Sequence, residues 1–239
     1  MPDEFSREVL LIGEEGLERL KNAHIAVFGV GGVGSFAAEA IARSGVGHIT
    51  IIDNDTVNVT NINRQIIALQ STIGMNKTDA AKARILDINP GCEVNTMNIF
   101  YTGSEVDLTR FDYVADAIDS VTSKLALIEN AHRLGVRIIS AMGTGNRLDP
   151  TKLIVTDLSK TSMCPLAKVM RVELRKRGIV HHRVVYSAEP PAVHRALSDE
   201  DETRRKTIGS VSFVPSVAGL IMAGEIIREI ALSQILAEI

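Results

Sequence analysis

Apolar positions along the chain follow two rhythms. Short continuous apolar runs read as strands buried on both faces: Ile25-Ala26-Val27-Phe28, Ile49-Thr50-Ile51-Ile52, Phe111 to Asp119, Val136 to Ala141, Leu153 to Thr156 and Val184 to Ser187. Cys92 to Phe100 alternates and reads as a further strand. Helical spacing runs through Phe36, Ala37, Ala40 and Ile41, and again from about Asn76 to Ile88, Val121 to Leu134 and Pro165 to Gly178. Residues 4 to 21 form a helical arm with Glu14, Glu15, Glu18, Arg19 and Lys21 on the wet side and Leu10, Leu11, Ile12, Leu17 and Leu20 apolar. A last helix, roughly Ser216 to Leu236, carries the small residues Ala218, Gly219, Ala223 and Gly224 that permit close packing. Strands alternating with helices predict an α/β fold: a Rossmann-like, mostly parallel sheet flanked by helices, with a C-terminal strand-and-helix extension.

Three regions follow from this pattern. Residues 1–24 are the helical arm, 25–158 a nucleotide-binding domain, and 159–239 an extension with a basic helix and a final packed helix. Ala192 to Thr207, where Asp199-Glu200-Asp201-Glu202 faces Arg204-Arg205-Lys206, is expected to be a mobile surface segment.

The stretch from Ile25 to Asp53 has the order strand, glycine turn, helix, strand, acid. Gly29 suits a tight turn, Gly31 lets the backbone approach a phosphate, and Gly34 lets the helix pack near the strand; Gly32 completes the run. Free N–H groups at the helix start would face an anion, and Asp53 would accept from ribose hydroxyls. Beyond Asp53 a long polar loop carries Asp55, Asn61, Arg64 and Gln65, more than a strand-to-helix turn needs. Arg64 offers a planar fork suited to phosphate oxygens. Lys77 opens the next helix against the helix dipole, a placement that suggests an anionic ligand. Asp119 lies at the carboxyl end of a strand, where open parallel sheets bind ligands, and is a candidate metal ligand or a helix N-cap.

Composition narrows the classes. Net charge is −3, pI about 6.1, and aromatic residues are 4% with no Trp, so RNA contact would need a local basic patch and phosphate rather than stacking. The densest basic run is on the helix from Pro165, where Lys168, Arg171 and Arg175 share a face. The two cysteines, Cys92 and Cys164, form no CxxC pair, which excludes a four-cysteine zinc and leaves two reduced thiols as the expectation. The N-terminus shows no signal-peptide pattern, and the apolar tail carries Glu225, Arg228 and Glu229, a poor membrane span. No membrane partner and a cytoplasmic location are expected.

Gly29-x-Gly31-Gly32-x-Gly34, Asp53-x-Asp55, Asn61-x-x-Arg64-Gln65, Lys77 and Asp116-x-x-Asp119 together resemble the adenylation fold of ubiquitin-activating enzymes and their bacterial relatives in molybdopterin and thiamine synthesis. The resemblance implies ATP rather than NAD, with Asp53 on the ribose, Asn61, Arg64 and Lys77 on the triphosphate, and Asp119 on Mg2+. It also implies a homodimer in which Arg7 reaches the ATP of the neighbouring subunit, and makes Arg7, Arg64, Lys77 and Asp119 the catalytic set. A monovalent cation is compatible with it, with no ligands assigned. The segments 161–169, 185–191 and 209–215 are similar to a narrower branch, the tRNA threonylcarbamoyladenosine dehydratases. Members of that branch often have Asp where Cys164 stands, so no catalytic role is expected of Cys164. The implied reaction is ATP-dependent cyclisation of the threonylcarbamoyl group on tRNA adenosine 37 through a carboxyl adenylate. Competing readings are an adenylating enzyme acting on a sulfur-carrier protein, a nucleotide-binding regulator of a cysteine desulfurase system, and a nicotinamide-dependent oxidoreductase. The last leaves Arg64 and Lys77 without a task.

Overall fold

The computed structural model describes residues 3–192 and 208–233. The stretch expected to be mobile falls almost wholly outside them. Seven strands, β1 (His24–Phe28), β2 (His48–Ile52), β3 (Glu93–Met97), β4 (Tyr113–Asp116), β5 (Ile138–Ala141), β6 (Leu153–Asp157) and β7 (Arg183–Ser187), make one sheet in the order β3-β2-β1-β4-β5-β7-β6. All neighbours are parallel except β6 and β7. Successive strands step outward from β1 to β3 on one side and from β4 to β5 on the other. The order reverses between β1 and β4, the point at which open parallel sheets form a ligand crevice at the carboxyl ends of their strands. Phe28, the last residue of β1, sits in register with Ile52 and with Asp116, so all three strands end together at that crevice.

Among the described residues six α-helices flank the sheet: α1 (Ser6–Asn22), α2 (Gly34–Arg43), α3 (Lys77–Ile88), α4 (Val121–Leu134), α5 (Pro165–Lys176) and α6 (Phe213–Ala231). Ile25, Val27, Ile49 and Ile51 face a core shared with α2, α3 and α6, while Ala26, Phe28, Ile52 and Val114 face one shared with α4 and α5. Both faces are covered, which is why these strands are apolar without alternation. β7 comes from the C-terminal extension yet lies between β5 and β6, so the sheet crosses the boundary at residue 158.

Sequence and structure differ instructively at two helices. α1 breaks at Gly13, whose φ of 74° is left-handed. Its second half buries Leu17 and Leu20, and Arg19 Nε donates to the Ala231 carbonyl at 3.0 Å. Its first half leaves Leu10 and Leu11 84% and 86% exposed, although Phe5 tucks under Gly45. α6 begins at Phe213, before the expected Ser216, because Pro215 is tolerated in a helix's first turn. Three of its small residues serve this chain's own packing: Ala218 and Ala223 are buried, and a Cβ on Gly219 would fall 2.2 Å from the Val33 carbonyl oxygen and 3.0 Å from the Ala37 nitrogen of α2, whereas Gly224 has open space beside it. No helix among the described residues is long and apolar enough to cross a membrane.

Candidate active site

The glycine turn fills the crevice mouth. Gly29 has φ 81°, and a Cβ there would meet the Ala117 carbonyl oxygen at 2.8 Å. A Cβ on Gly34 would lie 1.8 Å from the Gly29 oxygen, so the turn can close onto the first residue of α2 only without side chains. Gly31 differs. A Cβ there meets nothing nearer than Gln65 Nε2 at 3.8 Å, which leaves the backbone open to an approaching ligand at the α2 N-terminus.

Polar side chains gather around that opening. Asp53 Oδ2 accepts from the Val30 N–H at 2.8 Å and Oδ1 from the Asp55 N–H at 2.9 Å; these bonds orient the carboxylate and leave each oxygen further lone pairs for a ribose. Asp55 Oδ2 accepts from Lys77 Nζ at 2.7 Å, and the Lys77 backbone N–H donates to the Asp55 carbonyl at 2.9 Å. The Lys77 side chain is 7% exposed against 60% for Asp55, so the cation is held in the protein while its counter-charge faces solvent. Arg64 lies over the turn, its Cγ 3.4 Å from the Cβ position of Gly32, with Nη1 donating to the Thr60 carbonyl and to Asn63 Oδ1. Gln65 is buried and its Oε1 has no partner among the described residues. Asn61 is also buried, but its Oδ1 accepts from the Asn58 N–H at 2.9 Å in a capping box, which gives it a role in shaping the loop.

Asp119 is exposed, and no described hydrogen bond holds it. The α4 N-cap is Ser120, not Asp119, so the carboxylate is uncommitted. The preceding turn is anchored by a pair that sequence reading missed. Asp116 Oδ2 accepts from Lys124 Nζ at 2.8 Å with both side chains fully buried, and Asp116 Oδ1 accepts from the Ile118 N–H at 3.1 Å. A signal existed: Lys124 shares a helical stripe with Ile128 and Ala131, and a cation on a buried stripe requires a buried anion.

Other predicted residues lie elsewhere. Arg7 is exposed on the first half of α1, which packs by Phe5 against Gly45, just past the C-terminal end of α2. The glycine turn is at the other end of that ten-residue helix, about 15 Å away, so the structure does not bring Arg7 to its own chain's site. On α5, Lys168 and Arg175 are exposed. Arg171 turns inward, its Nη1 donating to Thr161 Oγ1 at 2.6 Å and to the Thr161 carbonyl at 2.9 Å. Cys164 is buried and caps α5, its Sγ accepting from the Ala167 N–H at 3.5 Å. Asp is among the preferred residues at such an N-cap position, so Cys164 stands where a structural role suffices. Burial pushes the Cys92 thiol up to about 11, so it is inert at neutral pH.

The fold is shared with known proteins. Residues 5–236 match the model of the ThiF family. The tRNA threonylcarbamoyladenosine dehydratase of Bacillus subtilis is 48% identical over 96% of this chain and 95% of its own length. The crystal structure of Escherichia coli tRNA N6-threonylcarbamoyladenosine dehydratase, TcdA, in complex with ATP has a TM-score of 0.86 at 34% identity, covering 98% of this chain and 96% of that one. The same enzyme in complex with AMP gives 0.87 at 35% identity. Matched over residues 5–236 and nearly half identical to a curated member over almost its whole length, the chain belongs to the ThiF family, in the branch of the tRNA threonylcarbamoyladenosine dehydratases.

Proposed function

We propose that the protein uses ATP to close the threonylcarbamoyl group on tRNA adenosine 37 into a cyclic form, with net loss of water. The free carboxylate of the modification attacks the α-phosphorus of ATP and displaces pyrophosphate. A nitrogen of the same modification then attacks the acyl carbon of the resulting adenylate, and AMP leaves with the bridging oxygen. Both attacking atoms belong to the substrate, so the chain need supply no nucleophilic side chain; its task is to position and to neutralise.

The observation that carries this reading is the set near Gly31: an open backbone, Gln65 Oε1 without a partner among the described residues, Arg64 over Gly32 and buried Lys77 paired with Asp55. Asp53 would hold the ribose, with Gly29, Gly31, Gly32 and Gly34 forming the phosphate turn. Lys77 would exchange its bond to Asp55 for the phosphates. Asp119, an uncommitted carboxylate at the strand end, suits Mg2+, which prefers one or two carboxylates plus phosphate oxygens. That ion would spread the charge developing on the leaving pyrophosphate.

The active unit is a homodimer. Arg7 would complete the partner's site, and exposed Leu10 and Leu11 on the same half-helix supply an apolar face for the contact. Residues 25–158 would carry the nucleotide chemistry behind the arm of residues 1–24, and 159–239 the tRNA contact, with Lys168 and Arg175 on its basic helix. A cytoplasmic location fits a tRNA-modifying role. Incubation with ATP and tRNA with or without the threonylcarbamoyl group tests the reaction: AMP should form with the modified tRNA, whose mass falls by one water. AMP formation indifferent to the modification sinks it.

A further inference from the structure

Arg147 is 2% exposed, and its guanidinium has one bond: Nη2 donates to the Met163 carbonyl at 3.0 Å. Its Nε and Nη1 are buried without a partner among the described residues. A permanently charged group left so is costly, and folds retain such a group where an incoming charge completes it. Glu189, whose carboxylate reaches the same loop, is spent on the backbone N–H groups of Leu148 and Asp149 at 3.0–3.1 Å.

The surroundings point the same way. Arg147 lies in the loop leaving β5, at the carboxyl edge of the sheet where the crevice opens. Its partner Met163 directly precedes Cys164, the N-cap of the twelve-residue α5, and Gly143 of the same loop packs against that first turn, its Cβ position 3.6 Å from Cys164 Sγ. A helix N-terminus and a buried arginine thus converge. Among the described residues the two non-glycine residues with positive φ are Asn146 at 55° and Met163 at 56°, one beside Arg147 and the other bonded to it. Strain of that kind collects where a ligand is clamped. Leu148 and Met163 are themselves 60% and 61% exposed, so the loop that carries the buried guanidinium lies at the surface.

We infer that Arg147 and the α5 N-terminus form a binding site for an oxyanion of the substrate tRNA, on the β5 side of the nucleotide. The inference rests on the tRNA reading above. Two sources have the required chemistry, the carboxylate of the modification and a backbone phosphate.

Selenate tests the site without tRNA. In crystals of the wild-type protein its anomalous signal should sit on Arg147, and its absence there overturns the site whether or not the enzyme turns over tRNA. The source follows from Arg147→Met, with ATP affinity and melting temperature as folding controls. Loss of a charge-assisted contact should weaken modified tRNA roughly tenfold to a hundredfold. If unmodified tRNA is unaffected, the anion is the carboxylate. Equal weakening of both, with a shallower salt dependence in the variant, identifies a phosphate. Unchanged affinity for both overturns the assignment to tRNA. Should Arg147→Met fail to fold, Arg147→Lys gives the same comparison, because a point charge keeps attraction but loses the planar fork.

Discussion

At the scale of single residues, the site is a set of charges held ready. Lys77 is buried with one exposed counter-ion, so a triphosphate can take it over without dragging it through water. Lys77→Ala should lower AMP formation by about a hundredfold or more, the usual cost of losing a donor aimed at developing charge. Steady-state assay of AMP checks this, and an unaltered rate removes Lys77 from the chemistry. Legibility varied residue by residue. The glycines announce themselves because a tight turn at a strand end demands that residue type at fixed intervals, and Asp53 and Lys77 because each stands at the end of a recognisable element. Arg147 and the inward turn of Arg171 do not, because burial and pairing across turns leave no local spacing, and Lys124 left only the signal of a cation on a buried helical stripe. His182 is another such case. It bonds to Ser140 Oγ at 2.8 Å and to His132 at 3.1 Å, and burial, with His132 and Lys124 nearby, depresses its pKa to about 3. The unfolded chain therefore binds a proton that the folded chain refuses, and stability should fall as pH drops from about 6.5 towards 3. His182→Asn should flatten that part of the profile of melting temperature against pH; an unchanged slope would place the acid sensitivity elsewhere.

At the scale of elements, two contacts set the crevice. The buried Asp116–Lys124 pair ties the end of β4 to α4 and so fixes the turn bearing Asp119. Lys124→Met should cost about 3–5 kcal/mol by leaving Asp116 charged and unpaired, and Lys124→Met with Asp116→Asn should recover part of that. Urea denaturation of the single and double variants measures both; equal loss in each would show that the charge is not the cause. Gly219 brings α6 onto the N-terminal end of α2. Gly219→Val should destabilise by about 1–3 kcal/mol through overpacking and disturb ATP affinity as the glycine turn shifts. Thermal melting and ATP titration follow the two effects, and a neutral result would mean that the helices can separate freely. Sequence periodicity located nearly every element, since both faces of the sheet are covered. It could not foresee the break at Gly13, because a single glycine within a helical pattern is often tolerated. Nor could it foresee β7 entering between β5 and β6, a pairing made by tertiary contact alone.

At the scale of the whole molecule, the account joins a nucleotide edge, a tRNA surface and a second subunit. Arg7 lies far from its own chain's glycine turn while the adjacent Leu10 and Leu11 stand exposed, a combination that makes sense if that half-helix works on a neighbour. Mixing inactive Arg7→Ala and Asp119→Ala proteins under conditions of subunit exchange should restore part of the activity, since the heterodimer holds one intact site. Confirmed exchange with no recovery places Arg7 outside the site. The central claim, that a carboxylate of the modification becomes an adenylate, can be followed by its oxygen. Threonylcarbamoyl-tRNA carrying heavy oxygen in both positions of the free carboxylate should, in a single turnover with ATP, give AMP bearing one labelled oxygen and a cyclic product that retains the other. AMP free of label, with the cyclic product retaining both heavy oxygens or not forming, would contradict the account.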